Sequence, residues 1–230
     1  MSSTPHVSTT RIRTIYAQED LSPLTPSAGS PKTVSFFLAG PSTPHYSWRT
    51  DLIATLEEKY QDLLSGLDIT FLIPESRALP GQSCGAGNAV VSYREQNEQN
   101  KLFYERMELE GMHFEVINQI QWETYALEQA DYVIYNMCQH WRYDPTHGQH
   151  GNISPTGRME VHPQSADTRK WLYYNNLSGN PSINRTVVRL GGEAAGENIG
   201  WLLWWIVKEQ LPYATSVGQL CATIIEWSQL

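Results

Sequence analysis

The segment TVSFFLAGP, residues 33–41, decides the expected fold. It is a short apolar run closed by a Gly-Pro pair, a pattern typical of a buried strand that meets a tight turn. DITFLIPES, residues 68–76, has the same character and is stopped by a proline. DYVIYNM (131–137) and RTVVRLGG (185–192) are two further predicted strands.

Helical patterns lie between and after these strands. SWRTDLIATLEEKYQDLL (47–64) places apolar side chains three and four residues apart, which predicts an amphipathic helix. Residues 94–130 are predicted to be helical with a break near Gly111, and residues 198–211 and 216–229 are predicted closing helices. Strands that alternate with helices predict a single α/β domain whose parallel sheet is covered on both faces. Ligands of such sheets bind at the carboxyl ends of the strands.

The overall composition limits the class of protein. A chain of 230 residues is long enough for one sizeable domain. Residues 1–32 are rich in Ser, Thr and Pro and are expected to form a flexible arm with one short ordered stretch at TIYA, so the domain is expected to span residues 33–230. The net charge is −8 and the chain has no lysine- or arginine-rich run, so a nucleic acid polymer is not an expected partner.

The apolar runs and the cysteines indicate the compartment. The longest apolar run, residues 199–207, is far shorter than a membrane span, and the N-terminus lacks an apolar stretch of signal-peptide length. Cys84, Cys138 and Cys221 are odd in number and far apart, which favours reduced thiols. We therefore expect a cytoplasmic protein with no membrane partner.

The turn after the first predicted strand is a candidate ligand site. In LAGPSTPHYSWR (38–49), a glycine and hydroxyl side chains would let backbone N–H groups approach a polar ligand closely, although plain strand-to-helix turns have similar sequences. The candidate substrate-binding residues of this segment are Gly40, Pro41, Ser42, Thr43 and Arg49.

A second candidate lies before the third predicted strand. In QWETYALEQADYVIY, Glu123 precedes Asp131 by eight residues, or about two helical turns. Its carboxylate could therefore point toward the site from the helix, and Trp122 and Asp131 are candidate substrate contacts. The alternative is a solvated glutamate on a helix face.

A third candidate is NISPTGRMEV (152–161), which follows a loop of roughly twenty residues, a length that suggests function. Glu160 would lie in the first turn of a helix, where the helix dipole keeps a carboxylate ionised. An ionised, partly buried carboxylate that faces a sugar can attack the anomeric carbon. Ser154, Gly157 and Arg158 are candidate substrate contacts beside it.

Taken together, FFLAGP, SWR, QWETYALEQADYVIY and SPTGRMEV resemble the nucleoside 2-deoxyribosyltransferase-like family over roughly residues 33–162. The resemblance implies a flavodoxin-like fold and an enzyme that cleaves or transfers at the N-glycosidic bond of a nucleoside or nucleoside 5′-monophosphate. By position, Glu160 matches the nucleophile and Glu123 matches an acidic residue near the nucleobase. The resemblance thus implies that both are catalytic, with Glu123 a candidate for handling the proton of the base. The family often completes its pocket from a second subunit, so a homodimer is expected; no cofactor or metal is implied.

The sequence departs from the family pattern at three places. Phe37 stands where the family often has a tyrosine that orients the nucleophile, so Tyr46 or Tyr135 would have to replace that hydroxyl. Many members have an aspartate where this chain has Ser154, and a serine at this position resembles the branch that cleaves nucleoside 5′-monophosphates. An aspartate would repel a phosphate, whereas Ser42, Thr43 and Arg49 or Arg158 could help to hold one. The continuation after Glu160 is unusual, with an insertion through about residue 185.

Two other functions are compatible with the sequence. One is a non-catalytic nucleotide-binding or sensing protein on the same fold, which the absent tyrosine favours. The other is a metal-dependent hydrolase that uses the loop CQHWRYDPTHGQHG. Its side chains are zinc ligands by type, but their spacing matches no closed motif, and solvated loop residues are the commoner explanation. The potential ligands are Cys138, His140, Asp144, His147 and His150.

Overall fold

A computed structural model describes residues 11–24, 33–40, 47–79, 91–136, 186–189, 212–214 and 216–230. The strands are β1 (Arg11–Tyr16), β2 (Thr33–Ala39), β3 (Asp68–Ile73), β4 (Tyr132–Asn136), β5 (Thr186–Arg189) and β6 (Tyr213–Ala214). The α-helices are α1 (Trp48–Lys59), α2 (Glu98–Leu109), α3 (Phe114–Gln129) and α4 (Val217–Ser228).

The chain divides into two compact units. The first consists of Met1–Leu38, Ser42–Asp131 and Cys221–Leu230, and the second of Ala39–Pro41 and Tyr132–Leu220. The predicted extent of one domain over residues 33–230 stays a prediction.

The sheet of the first unit is parallel, with β3 between β1 and β2. Tyr16 pairs with Ile73 and Phe37 pairs with Leu72, so the strands end at the same edge. Apolar side chains of β2 and β3 are almost completely buried, as expected for strands inside an α/β unit. Phe36 and Phe71 bring their ring centroids within 5.7 Å of each other on neighbouring strands.

In the second unit, β5 pairs in parallel with both β4 and β6. The flavodoxin-like strand order is 2-1-3-4-5. With β2 counted as the first strand, the neighbours β3 and β2 match the 2-1 part of this order, and β4, β5 and β6 match the 3-4-5 part. The predicted α/β class with a parallel sheet is therefore confirmed. The short strand β6 was not predicted.

The N-terminal segment differs from the expected flexible arm. Residues 11–24 are described, and β1 extends well beyond the short ordered stretch that was expected at TIYA. The backbone N–H of Arg11 donates to the Leu67 carbonyl, and Ile15 is buried. Residues 1–32 as a whole are rich in Ser, Thr and Pro, and this composition suggested a flexible arm. Within them, however, the six residues RIRTIY include β-branched side chains that suit an extended strand.

The described helices follow the predicted pattern with changes at their ends, and the predicted helix over residues 198–211 lies outside the described residues. Trp48, Leu52 and Leu56 are buried as predicted, but α1 ends at Lys59 and a 3₁₀ turn follows. Because the helical phase is lost there, Leu63 is 57% exposed. The predicted break near Gly111 separates α2 from α3. No helix within the described ranges is long and apolar enough to cross a membrane.

Gly40, one of the predicted ligand-turn residues, meets a strict backbone requirement. Its φ is +136°, and a Cβ built there would lie 2.4 Å from the carbonyl oxygen of Asn136 at the end of β4. Only glycine combines this φ with so close a backbone approach. Packing against Asn136 is thus a sufficient reason for glycine at this position, and the predicted contact of Gly40 with a ligand stays a prediction.

We predict that Gly40→Ala destabilises the protein by about 2–5 kcal/mol, because backbone strain and a steric clash act together. Gly111→Ala is the matched control. It also has a positive φ, of +85°, but the added Cβ would meet nothing within 4 Å. That variant should lose only about 1 kcal/mol. Urea denaturation of both variants measures the loss of unfolding free energy. Equal losses in the two variants would contradict a steric clash at residue 40.

Candidate functional site

The carboxyl edge of the first unit's sheet brings together the segments that follow β1 and β3. Residues 17–20 leave β1, and residues 74–79 leave β3. The N–H of Ala17 donates to the carbonyl of Glu75 over 3.1 Å, which fastens the two segments side by side. This edge is where ligands of open α/β sheets bind.

A buried ion pair lies at this edge. The Arg49 guanidinium is paired with the Glu75 carboxylate, and each side chain is only 1% exposed. Nε of Arg49 also donates to the Leu38 carbonyl at 2.8 Å, and its guanidinium lies 4.9 Å from the ring centroid of Trp48. Arg49 therefore connects the start of α1 to the ends of β2 and β3.

These contacts give Arg49 a role within the fold, as a cation with almost no exposed surface and a buried carboxylate partner. The sequence suggested a substrate contact because arginine beside a Gly-Pro-Ser-Thr turn has the right charge for phosphate. That assignment stays a prediction. The partner of Arg49, Glu75, lies 26 residues further along the chain.

A second ion pair is more exposed. Nε and Nη2 of Arg77 donate to the two carboxylate oxygens of Glu19 at 2.6 and 2.8 Å, and the guanidinium lies 4.2 Å from the centroid of the Tyr16 ring. Burial opposes ionisation of Glu19. Hydrogen bonds from Arg77 and from the N–H of Tyr16 outweigh it, so the pKa of Glu19 is lowered. Burial raises the pKa of Tyr16.

The turn that follows β1 places an amide side chain inside the protein. The N–H of Glu19 donates to the Tyr16 carbonyl, and Gln18, the third residue of this turn, has a φ of +65°. Positive φ is uncommon for a residue other than glycine. The Gln18 side chain is nevertheless buried, where it bonds with Asn118 and Gln119 of α3.

Glu123 belongs to this polar group. Its Oε1 accepts a hydrogen bond of 2.6 Å from Nε2 of Gln119, one helical turn earlier, and the side chain is half-buried. Through Gln119 and Gln18, Glu123 is connected to the end of β1, at the carboxyl edge of the sheet. Glu123 is thus more constrained than a solvated glutamate on a helix face. Its predicted catalytic role stays a prediction.

Trp122 is part of the hydrophobic core. Its side chain is fully buried, its Nε1 donates to the Glu19 carbonyl at 3.0 Å, and its ring centroid lies 6.3 Å from that of Phe37. It packs α3 against β2 as a core residue, and its predicted contact with a substrate stays a prediction. Phe37 is part of the same packing.

Asp131 is not at this edge of the sheet. Its Oδ2 accepts hydrogen bonds from the N–H and Oγ of Ser35, at 2.9 and 2.8 Å, and its own N–H donates to Oγ of Ser35. Ser35 lies near the start of β2, about 10 Å along the strand from Leu38. Asp131 therefore holds the amino end of β2, and its predicted contact with a substrate stays a prediction.

The remaining predicted site residues lie outside the described residues. They are Pro41, Ser42, Thr43, Ser154, Gly157, Arg158 and Glu160, together with the loop that contains Cys138, His140, Asp144, His147 and His150. Tyr46, one possible replacement for the family's orienting tyrosine, also lies outside them.

Some residues of this edge were missed by the sequence reading. Glu75 directly follows a predicted strand, in the segment PES, and that position was its only signal. Asn118 and Gln119 stand beside the buried Ile117 and Trp122 of α3, so amide side chains on the apolar side of a helix were the available clue. Gln18 gave no signal, because it lay within the predicted arm.

No protein-family model matches this chain, and no curated protein matches it significantly. The fold and the carboxyl edge define an α/β protein with a parallel sheet, a buried ion pair and a half-buried carboxylate on α3. Glu123 there is a hydrogen-bond acceptor, and its predicted contact with a substrate stays a prediction.

We predict that Glu75→Ala lowers the free energy of unfolding by about 3–5 kcal/mol, because Arg49 would remain buried without this partner. The double variant Arg49→Met with Glu75→Leu should recover much of this loss, since no buried charge then remains. Arg77→Met is the control. It breaks a pair whose cation is 49% exposed and should lose about 1 kcal/mol or less. Denaturant titration of each variant measures these free energies of unfolding. A double variant as unstable as Glu75→Ala would contradict the explanation that an unpartnered buried charge causes the loss.

The lowered pKa of Glu19 predicts a pH dependence of stability. A carboxylate whose pKa is lower in the folded state stabilises the fold above the unfolded-state value, and that contribution is lost as the pH falls through the folded-state value. The difference in unfolding free energy between wild type and Glu19→Gln should therefore shrink below the ordinary glutamate pKa of 4.5. Glu58→Gln, the same substitution at an exposed position of α1, is the matched control. A constant difference between about pH 3 and about pH 7 would refute this prediction.

Proposed function

We propose that this protein cleaves or transfers at the N-glycosidic bond of a nucleoside or nucleoside 5′-monophosphate. The observation that carries the proposal is Glu123, held by Gln119 and connected through Gln18 to the carboxyl edge of a parallel sheet. The motif resemblance predicts an acidic residue near the nucleobase at this position. A half-buried, hydrogen-bonded carboxylate is suited to contact a polar ring edge.

Glu160 is the proposed nucleophile. Its carboxylate attacks C1′ of the sugar, the C1′–N bond breaks, and the bonding electron pair goes to the base nitrogen, which gains a proton. A second base, or water, then attacks C1′ and releases the glutamate, while the incoming nucleophile loses a proton. Transfer and hydrolysis share the first of these two steps. A homodimer and a cytoplasmic location are part of the same proposal.

A non-catalytic nucleotide-binding protein is the second candidate. It is favoured by Phe37, whose ring packs against Trp122 where the family often has a tyrosine hydroxyl for its nucleophile. Release of free base separates the two functions, because a binding protein leaves the N-glycosidic bond intact. The metal-dependent hydrolase stays an alternative, because the loop that would supply its ligands lies outside the described residues.

We expect free base when the protein is incubated with a panel of nucleosides and their 5′-monophosphates, followed by chromatography. Glu160→Gln keeps the size and hydrogen bonding of the side chain but removes its charge, so turnover should fall by at least about a thousandfold. Its melting temperature should change little, because a carboxylate in the first turn of a helix, the position that the sequence predicts for Glu160, contributes about 0.3–1 kcal/mol.

Glu58→Gln is the activity control, since it makes the same change at an exposed helical position. A Glu160→Gln variant that keeps more than about a tenth of the activity would exclude Glu160 as the nucleophile. Ligand binding without release of base from any compound would favour the binding protein. Better cleavage of the monophosphates would support Ser154 as a phosphate contact.

A further inference from the structure

The amide side chain of Asn118 can take only one orientation. Its Oδ1 accepts from the backbone N–H of Tyr93 at 3.2 Å and from the Tyr104 hydroxyl at 2.5 Å. Its Nδ2 donates to the backbone carbonyl of Val91 at 3.0 Å and to Oε1 of Gln18 at 2.8 Å. A backbone N–H only donates and a carbonyl only accepts, so turning the amide over would lose both backbone bonds.

The orientation of Asn118 fixes that of Gln18. Since Oε1 of Gln18 accepts from Asn118, its Nε2 is left to donate. That nitrogen faces two acceptors of α3, the backbone carbonyl of Glu115 and Oε1 of Gln119, each at 3.3 Å. The Glu115 carbonyl can only accept, which gives an independent reason for the same orientation.

Gln119 is the last amide of the series. Its Oε1 accepts from Gln18, so its Nε2 faces Oε1 of Glu123, at 2.6 Å. The series Asn118–Gln18–Gln119 therefore ends in an N–H that is aimed at a carboxylate. Asn118, Gln18 and Gln119 are all buried, where a half-satisfied amide would be costly. In this arrangement Gln119 presents its N–H group, a donor, to the Glu123 carboxylate.

We propose that Gln119 is a positioning residue that holds Glu123 as a hydrogen-bond acceptor, so that the base recognised is one that presents an N–H group to Glu123. This inference rests on the proposed function and narrows its substrate class. A carboxylate has about four acceptor sites, so it can accept from Gln119 and from a base together. In this arrangement Glu123 orients the base, and the proton that the leaving base needs comes from another group or from water.

The amide series is tested without any substrate, by side-chain amide signals in ¹H–¹⁵N NMR spectra. The Gln119 signals, identified by their loss in Gln119→Leu, should move in Glu123→Leu. In Gln18→Gly, a variant that suits the positive φ at this turn, the Gln119 signals should become those of a mobile amide. Gln129→Leu, on the exposed side of the same helix, should leave them unchanged. Wild-type Gln119 signals typical of a freely rotating amide would overturn the series.

Base recognition is tested with pairs of nucleosides that differ at one group on the base. One member of each pair carries the N–H group, and in the other member that group is fully N-methylated. The wild type should favour the N–H member by about ten- to a hundredfold in kcat/KM, because the bond is made to a charged group. Gln119→Leu and Glu123→Leu should bring this ratio close to one, with the larger change in KM. Gln129→Leu should keep the wild-type ratio.

The two proposals fail in different ways. Preferential binding of the N–H member, measured by calorimetry, without release of base would contradict the proposed reaction and support recognition by Glu123. Equal handling of both members by the wild type, or no binding of either, would overturn the recognition. Gln119→Leu with an unchanged ratio would show that Glu123 needs no positioning by Gln119.

Discussion

The buried pair of Arg49 and Glu75 is the interaction on which the carboxyl edge of the first unit depends. Removing two charges from water is costly, and mutual attraction offsets that cost only when the geometry is good and further hydrogen bonds are made. Here the guanidinium also bonds to the Leu38 carbonyl, at the end of β2. One side chain at the start of α1 thereby fixes the relative position of two strand ends.

The turn after β1 adds a second constraint. Gln18 has an uncommon backbone conformation with a positive φ, and its side-chain amide forms hydrogen bonds with buried partners on α3. Because each buried amide must satisfy both its donor and its acceptor, the orientation set at the Tyr93 N–H is passed to Glu123. The same group that rigidifies the core therefore decides how a half-buried carboxylate at the candidate site is presented.

Residue type and strand-end position were enough to locate the candidate edge but not to assign its members. Arg49, Trp122 and Asp131 suit a nucleotide site by type, yet each is used within the fold. Their partners lie 26, 103 and 96 residues away in sequence, respectively. No local pattern encodes such pairs. Glu123 was chosen as a candidate because its distance from a strand start is a local feature of the sequence, and its role stays a prediction.

The sequence by itself determined the α/β class, the main strands and the break between α2 and α3, because short apolar runs, helical periodicity and glycine act over a few residues. It also determined that Gly40 closes β2. Only the tertiary structure decided that residues 11–16 form a strand beside β3, and that buried Arg49 pairs with Glu75. It alone decided that Asn118 and Gln18 orient Gln119 toward Glu123. Those outcomes depend on which distant groups must satisfy one another away from water.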